Sequence, residues 1–192
     1  MARPREFDEI EALDSAVETF RDKGYEAASL MDLLKAMDLS KSSLYNSFGT
    51  KHELFLAAID HYAKKSADRL SQRLSSSFSP REGIRKALEG IVDDIMESGD
   101  RRGCLLHNSA IEVLPQDPEA AQHIERGVSR MKDVFTHTVR DGQRRGEIMA
   151  ERDPEEIASY LTMSQMGLRS VGRVTSERRQ LDQMVECVMK AV

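Results

Sequence analysis

Apolar residues along this chain recur at intervals of three and four. Phe7, Ile10, Leu13, Val17 and Phe20 form one such series, and Leu54, Phe55, Ala58, Ile59 and Tyr62 a second. Leu181, Met184, Val185, Val188 and Met189 form a third. That spacing places each set on one face of a helix, and no segment alternates apolar and polar for the length of a strand. The punctuation agrees. Ser79-Pro80-Arg81-Glu82 and Asp153-Pro154-Glu155-Glu156 each set a capping residue, a proline at the first helical position and an acid at the third. Asp117-Pro118 repeats the cap and proline, and Thr50-Lys51-His52-Glu53 is a capping box without proline. Pro4, Pro80, Pro115, Pro118 and Pro154 leave every helix interior free, and Gly24, Gly49, Gly99, Gly146 and Gly172 fall near helix ends. The pattern predicts an all-α chain of nine helices, at about 6–23, 30–37, 41–47, 51–76, 80–98, 104–114, 118–144, 154–171 and 176–191.

The most informative stretch is residues 29–54. Ser29 can cap a short helix whose apolar positions are Leu30, Leu33, Leu34 and Met37. After the break Asp38-Leu39-Ser40, Ser40 is placed to cap a second short helix. There Leu44 and Phe48 point inward, while Lys41, Ser42, Ser43, Tyr45 and Asn46 point outward. Two short helices across a tight turn make a helix-turn-helix, whose second helix can enter a DNA major groove. Small hydroxyl residues at its start let the backbone approach phosphate, and Tyr and Asn offer contacts to base edges. Periodicity alone is served equally by two core-packing helices.

Charge tips the balance locally rather than globally. The 192 residues carry a net charge of −5, which does not advertise a nucleic-acid partner. Residues 1–52 hold seven Lys/Arg against ten Asp/Glu, yet residues 39–52 contain Lys41 and Lys51 and no acid. Arg3 and Arg5 lie on a proline-stiffened arm that could reach phosphate or minor groove. With 40% hydrophobic and 32% charged residues and a mean hydropathy of −0.51, the composition is that of a soluble globular protein. No apolar run approaches the roughly 20 residues of a membrane span, and the N-terminus lacks a signal-peptide stretch, which argues for no membrane partner and for the cytoplasm. Two cysteines, Cys104 and Cys187, make neither a disulfide framework nor a zinc site.

The segment Phe20-Arg-Asp-Lys-Gly-Tyr-Glu-Ala-Ala-Ser29, followed by Leu39-Ser-Lys-Ser-Ser-Leu-Tyr-Asn-Ser-Phe-Gly-Thr-Lys-His-Glu-Leu54, resembles the DNA-binding domain of TetR/AcrR-type transcriptional regulators. A weaker resemblance continues through Arg102-Gly-Cys-Leu-Leu-His-Asn-Ser-Ala-Ile-Glu112 and Gly142-Gln-Arg-Arg-Gly-Glu-Ile148. It implies an all-helical homodimer. Residues 1–50 would be a three-helix DNA-binding domain, and residues 51–192 a six-helix ligand-binding and dimerisation domain. Carried over position by position, Ser29, Lys41, Ser42, Ser43, Tyr45, Asn46 and Lys51 match DNA-facing residues. Tyr45 and Lys51 would hold phosphate, and Ser42, Ser43 and Asn46 would meet bases; Ser29 also reads simply as a cap, and Tyr45 as core. Asp38 stands where the family usually has glycine, and Asp tolerates the left-handed geometry of such a turn. Repression is the family's habit, and the expected partner is double-stranded DNA with a near-palindromic operator.

In the remaining chain, Ile157, Leu161, Ser164, Leu168 and Val171 form one stripe, with Ser164 and Gly167 small enough for close approach. The series beginning at Leu181 forms another. Two such helices from each subunit would make a four-helix dimer interface; the alternative is burial within one subunit. For an unidentified small-molecule effector, candidate pocket residues are Cys104, His107, Asn108, Met131, Phe135, Met163 and Met166, with ordinary core as the competing reading. Cys104 follows Arg101-Arg102-Gly103 at a predicted helix start, where cations and the helix dipole would favour a thiolate, so thiol sensing is a further option beside a structural role. Control by a protein partner is another. Glu119/His123 and Asp133/His137 lie ~21 Å apart along one helix and make a poor metal site. No Glu-x-x-His cluster, phosphate loop or catalytic triad supports an enzyme, and neither catalytic residues, a metal nor a cofactor is expected.

Overall fold

The computed structural model describes residues 8–97, 99–113, 116–175 and 177–192. Their regular structure consists of α1 (Glu9–Lys23), α2 (Leu30–Met37), α3 (Lys41–Phe48), α4 (Lys51–Leu74), α5 (Pro80–Glu97), α6 (Leu105–Val113), α7 (Pro118–Arg144), α8 (Pro154–Val171) and α9 (Arg178–Lys190). The caps read from the sequence set these boundaries. Ser79 Oγ accepts from Glu82 N at 3.1 Å, Asp117 Oδ1 from Ala120 N at 2.9 Å and Asp153 Oδ1 from Glu155 N at 2.9 Å. Among the described residues α1 begins at Glu9, with Asp8 as its N-cap accepting from Ile10 N and Glu11 N. Arg3, Arg5 and Phe7 lie outside the described residues. No helix among the described residues is long and apolar enough to cross a membrane.

The chain divides into two compact units, with α4 and α7 each contributing to both. The first comprises the described residues up to Tyr62 together with Leu105–Gly127. Here α1 packs on α2 and α6, around a core of Val17, Phe20, Leu33, Leu44, Leu54, Phe55 and Ile59. Phe20 and Phe55 meet edge to face at 5.1 Å, a geometry that aligns the positive rim of one ring with the other's negative face. Ile10 departs from its expected burial and is exposed. The buried stripe of α1 runs instead through Ala12 and Ala16, whose small side chains permit close helix approach. The contact division also places α6 and the start of α7 with the N-terminal helices.

The second unit comprises Ala63–Cys104 and Val128–Val192. Helix α5 packs on α8 and α9, which also pack on each other. Ile84, Leu88, Ile91 and Ile95 of α5 meet Ile157, Leu161 and Leu168 of α8 and Leu181, Val185 and Met189 of α9 in one buried core. This corrects the sequence expectation for the last two helices: their strongest apolar stripes are interior to a single subunit. The reason is energetic, since each such side chain contributes about 1.5–3 kcal/mol on burial, and α5 supplies a matching apolar face within the same chain. Charged residues rim this core, with Arg178 on Asp93 at 2.5 Å and Arg73 on Asp94 at 2.7 Å.

Candidate nucleic-acid interface

The first unit's α2 and α3 are joined by Asp38-Leu39-Ser40. Asp38 takes φ 52° and ψ 44°, the only positive φ at a non-glycine residue among those described. Asp visits this left-handed well more readily than most residues, and with it Leu39 N reaches back to Leu34 O at 3.0 Å, closing α2. Ser40 then starts α3, accepting from Ser43 N at 3.1 Å and bonding the hydroxyls of Ser42 and Ser43 at 2.9 Å each. Leu44 is fully buried and Phe48 half-buried, so they fix the rotation of α3. The opposite face carries Lys41, Ser42, Tyr45 and Asn46 exposed and Ser43 half-buried, with no acid anywhere in the helix. Lys41 Nζ lies 5.9 Å from the Tyr45 ring centroid, so a cation and an aromatic share one flank of the surface.

The two other DNA-candidate residues are more committed. Ser29 is the N-cap of α2, in a reciprocal box: its hydroxyl accepts from Asp32 N at 3.1 Å, and Asp32 accepts from Ser29 N at 3.0 Å. Lys23, 2.5 Å from Asp32, and then the Ser29 donors hold that carboxyl well below the usual carboxylate range. Lys51 is half-buried, its Nζ 4.6 Å over the Tyr25 ring and 3.4 Å from Glu26 O. Between α3 and α4, Gly49 has φ 72°, and a Cβ there would lie 2.2 Å from Glu53 Oε2. Glu53 occupies that space because it caps α4, accepting from Thr50 N at 2.7 Å, and this bond lowers its pKa.

Sequence reasoning missed a set of polar contacts elsewhere in the first unit. Glu112 of α6 accepts from Tyr25 N and Glu26 N, both at 2.9 Å. His52 Nε2 lies 2.8 Å from Asp117, the cap of α7. Asp117 has a lowered pKa, first through the Ala120 amide and then through His52. His61 Nε2 lies 2.7 Å from Asp14 and His123 Nδ1 2.9 Å from Asp60, the latter without hydrogen-bond geometry. Among the described residues no cluster could hold a metal ion. Glu112 closes the second motif of the sequence resemblance, which is the one signal that could have singled it out.

The second unit contains a cleft of about 750 Å³ between the end of α4, the start of α5 and one face of α7. Leu74, Phe78, Pro80 and Val134 give it apolar walls, and Arg130 and His137 stand on its polar side. None of the seven sequence candidates lines it. Met131 and Phe135 are buried on the neighbouring face of α7, Met131 Sδ lying 2.9 Å from Gln165 Nε2. Met163 is exposed and Met166 half-buried on α8. Cys104 is buried in the second unit, while His107 and Asn108 are half-buried on α6 in the first. Periodicity picked the buried stripe of α7, whereas the cleft takes the stripe beside it.

Residues 12–58 match the family model for bacterial regulatory proteins of the tetR family, and residues 80–188 that for the tetracyclin repressor-like C-terminal domain. The chain is 34% identical to the uncharacterised HTH-type transcriptional regulator YezE of Bacillus subtilis (strain 168), over 97% of its own length and 96% of the relative's. It is 26% identical to the HTH-type transcriptional repressor ComR of Escherichia coli (strain K12), covering 98% and 90%. Among solved structures it is similar to a cysteine mutant of the TetR family transcriptional regulator CifR complexed with 26-bp double-strand operator DNA. That match has a TM-score of 0.85 at 31% identity, over 98% of this chain and 99% of the other.

Proposed function

Because the chain belongs to the TetR family and is a DNA-binding transcriptional regulator rather than an enzyme, we propose that it is a cytoplasmic homodimeric repressor released from its operator by a small molecule. Residues 1–50 form the reader and 51–192 the regulatory body. The observation that carries this reading is the exposed, acid-free face of α3, built by a buried Leu44 on the other side. Ser42, Ser43 and Asn46 meet bases there. Lys41, Tyr45 and Lys51 hold phosphate, and Ser29 serves chiefly as the cap that aims α2.

Two readers must lie about one DNA turn, ~34 Å, apart or a multiple of it, so the operator is near-palindromic. Dimerisation uses the outer faces of α8 and α9. Met163 is 62% exposed and Val174 87%, and a Cβ on Gly167 would meet open space, so a partner helix can come close there. Met184 and Cys187 extend that surface along α9. The cleft at Leu74, Phe78 and Val134 receives the effector, a compact molecule with an apolar body and one polar end, and Met131 and Phe135 back its α7 wall. Control through the Cys104 thiol is less favoured because Cys104 is only 3% exposed; alkylation that lowers operator affinity would restore that option.

The test is selection of bound sequences from a random duplex pool at two salt concentrations. An inverted repeat that is enriched, and lost on Tyr45→Ala, is the expected result. Recovery of only sequence-independent, steeply salt-sensitive binding would reduce the interaction to phosphate attraction and overturn the proposal.

A further inference from the structure

We propose that Glu112 is the positioning residue of the operator reader: its carboxylate, seated on two backbone amides of the turn between α1 and α2, fixes that turn to α6. The inference rests on the operator-reading function above and adds the contact that holds the reader in register.

Glu112 lies 86 and 87 residues from its two donors, and each carboxylate oxygen takes one of them: Oε2 from Tyr25 N and Oε1 from Glu26 N, at 2.9 Å apiece. A bidentate, charge-assisted pair constrains orientation as well as distance. The seat is shaped for it. Gly24 has φ 83°, and a Cβ there would stand 2.8 and 2.9 Å from the two carboxylate oxygens. Glycine is therefore required twice, once for the left-handed backbone and once for the room. Gly24 N also closes α1 on Phe20 O at 2.9 Å, so the clamp sits where the first helix ends and the path to α2 begins.

The clamped turn is wired to the DNA-facing side. The Tyr25 ring packs 4.4 Å from Phe55, and Lys51 Nζ lies over it while bonding Glu26 O. Lys51 is one of the proposed phosphate contacts, so α6 reaches it through a single turn. From the other side, Asp117 holds His52, the residue next to Lys51.

Glu112 and Glu26 are exposed and only the Tyr25 ring reaches into the core at Phe55, so loss of the carboxylate loosens position more than fold. Specific binding needs both readers of a dimer engaged at fixed spacing, whereas non-specific binding needs only cations near phosphate. In the full-length chain, Glu112→Ala is expected to speed amide exchange at Tyr25 and Glu26 and to weaken binding to the selected operator about tenfold, leaving a random duplex of equal length within about twofold. Glu112→Gln falls between, because one side-chain oxygen still accepts and the charge is gone. Gly24→Ala displaces the same carboxylate, so the double variant Gly24→Ala/Glu112→Ala binds operator no worse than Gly24→Ala alone. Unchanged or tighter operator binding, equal losses on both duplexes, or additive losses in the double variant each overturn the proposal. Should Glu112→Ala fail to fold, the Gln variant gives the same comparison. A wild-type chain that enriches no operator overturns the operator-reading function itself, which is a different result from any of these.

Discussion

Each of the two units is built internally by a different kind of contact. In the first, short polar side chains bond backbone amides at nearly every joint: Ser29 and Asp32 at α2, Ser40 at α3, Thr50 and Glu53 at α4, and Glu112 on the α1–α2 turn. Such bonds are directional and reach only a few residues, so they set the angles at which short helices leave their turns. In the second, long helices pack through aliphatic side chains, and long arginines such as Arg73 and Arg178 bridge the rim. Aliphatic packing is nondirectional and tolerates small shifts, and that unit also holds the cleft. A surface that must match DNA is thus built from fixed geometry, and the unit that holds the cleft from adaptable packing.

Removing core side chains has the largest expected effect. Leu44→Ala and Leu161→Ala should each lower unfolding free energy by about 2–5 kcal/mol in urea titrations. Leu44→Ala should also abolish operator binding, because α3 loses the residue that sets its rotation. Next comes the outer face of α8. Met163→Lys should leave each subunit's stability within about 0.5 kcal/mol, yet yield monomers in sedimentation and weaken operator binding about a hundredfold, as one reader is lost from the pair. A dimer that survives Met163→Lys would move the interface elsewhere.

The smallest effect concerns pH and the polar joints. The folded pKa of Asp117 is depressed below its ordinary 3.8. As pH falls, the unfolded chain therefore binds the proton first, and the stabilisation, complete above the ordinary value, is lost as pH drops through the folded one. Asp117→Ala should cost about 1 kcal/mol at neutral pH. It should also flatten the acid limb of stability below about pH 4, measured by urea midpoints at successive pH values. An unchanged acid limb would mean that the joint around His52 and Asp117 carries no stabilising weight.

Local features were legible from residues alone. Capping hydroxyls, prolines at first turns and three-four apolar spacing involve neighbours within four positions, and they located the helices, the helix-turn-helix and the outward set on α3. Asp38 could be assigned its left-handed turn because the family resemblance puts glycine at that position and Asp tolerates the same backbone. Which apolar stripe meets which partner was not so determined. Ile157, Leu161 and Leu168 are equally suited to another subunit or to α5, and only the folded chain assigned them to α5 and left Met163 and Val174 outside. The cleft likewise depends on which of two adjoining faces of α7 is covered. Glu112 shows the limit most plainly: its partners are backbone amides, which have no sequence signature, brought to it across 86 residues by the packing of α1 on α6.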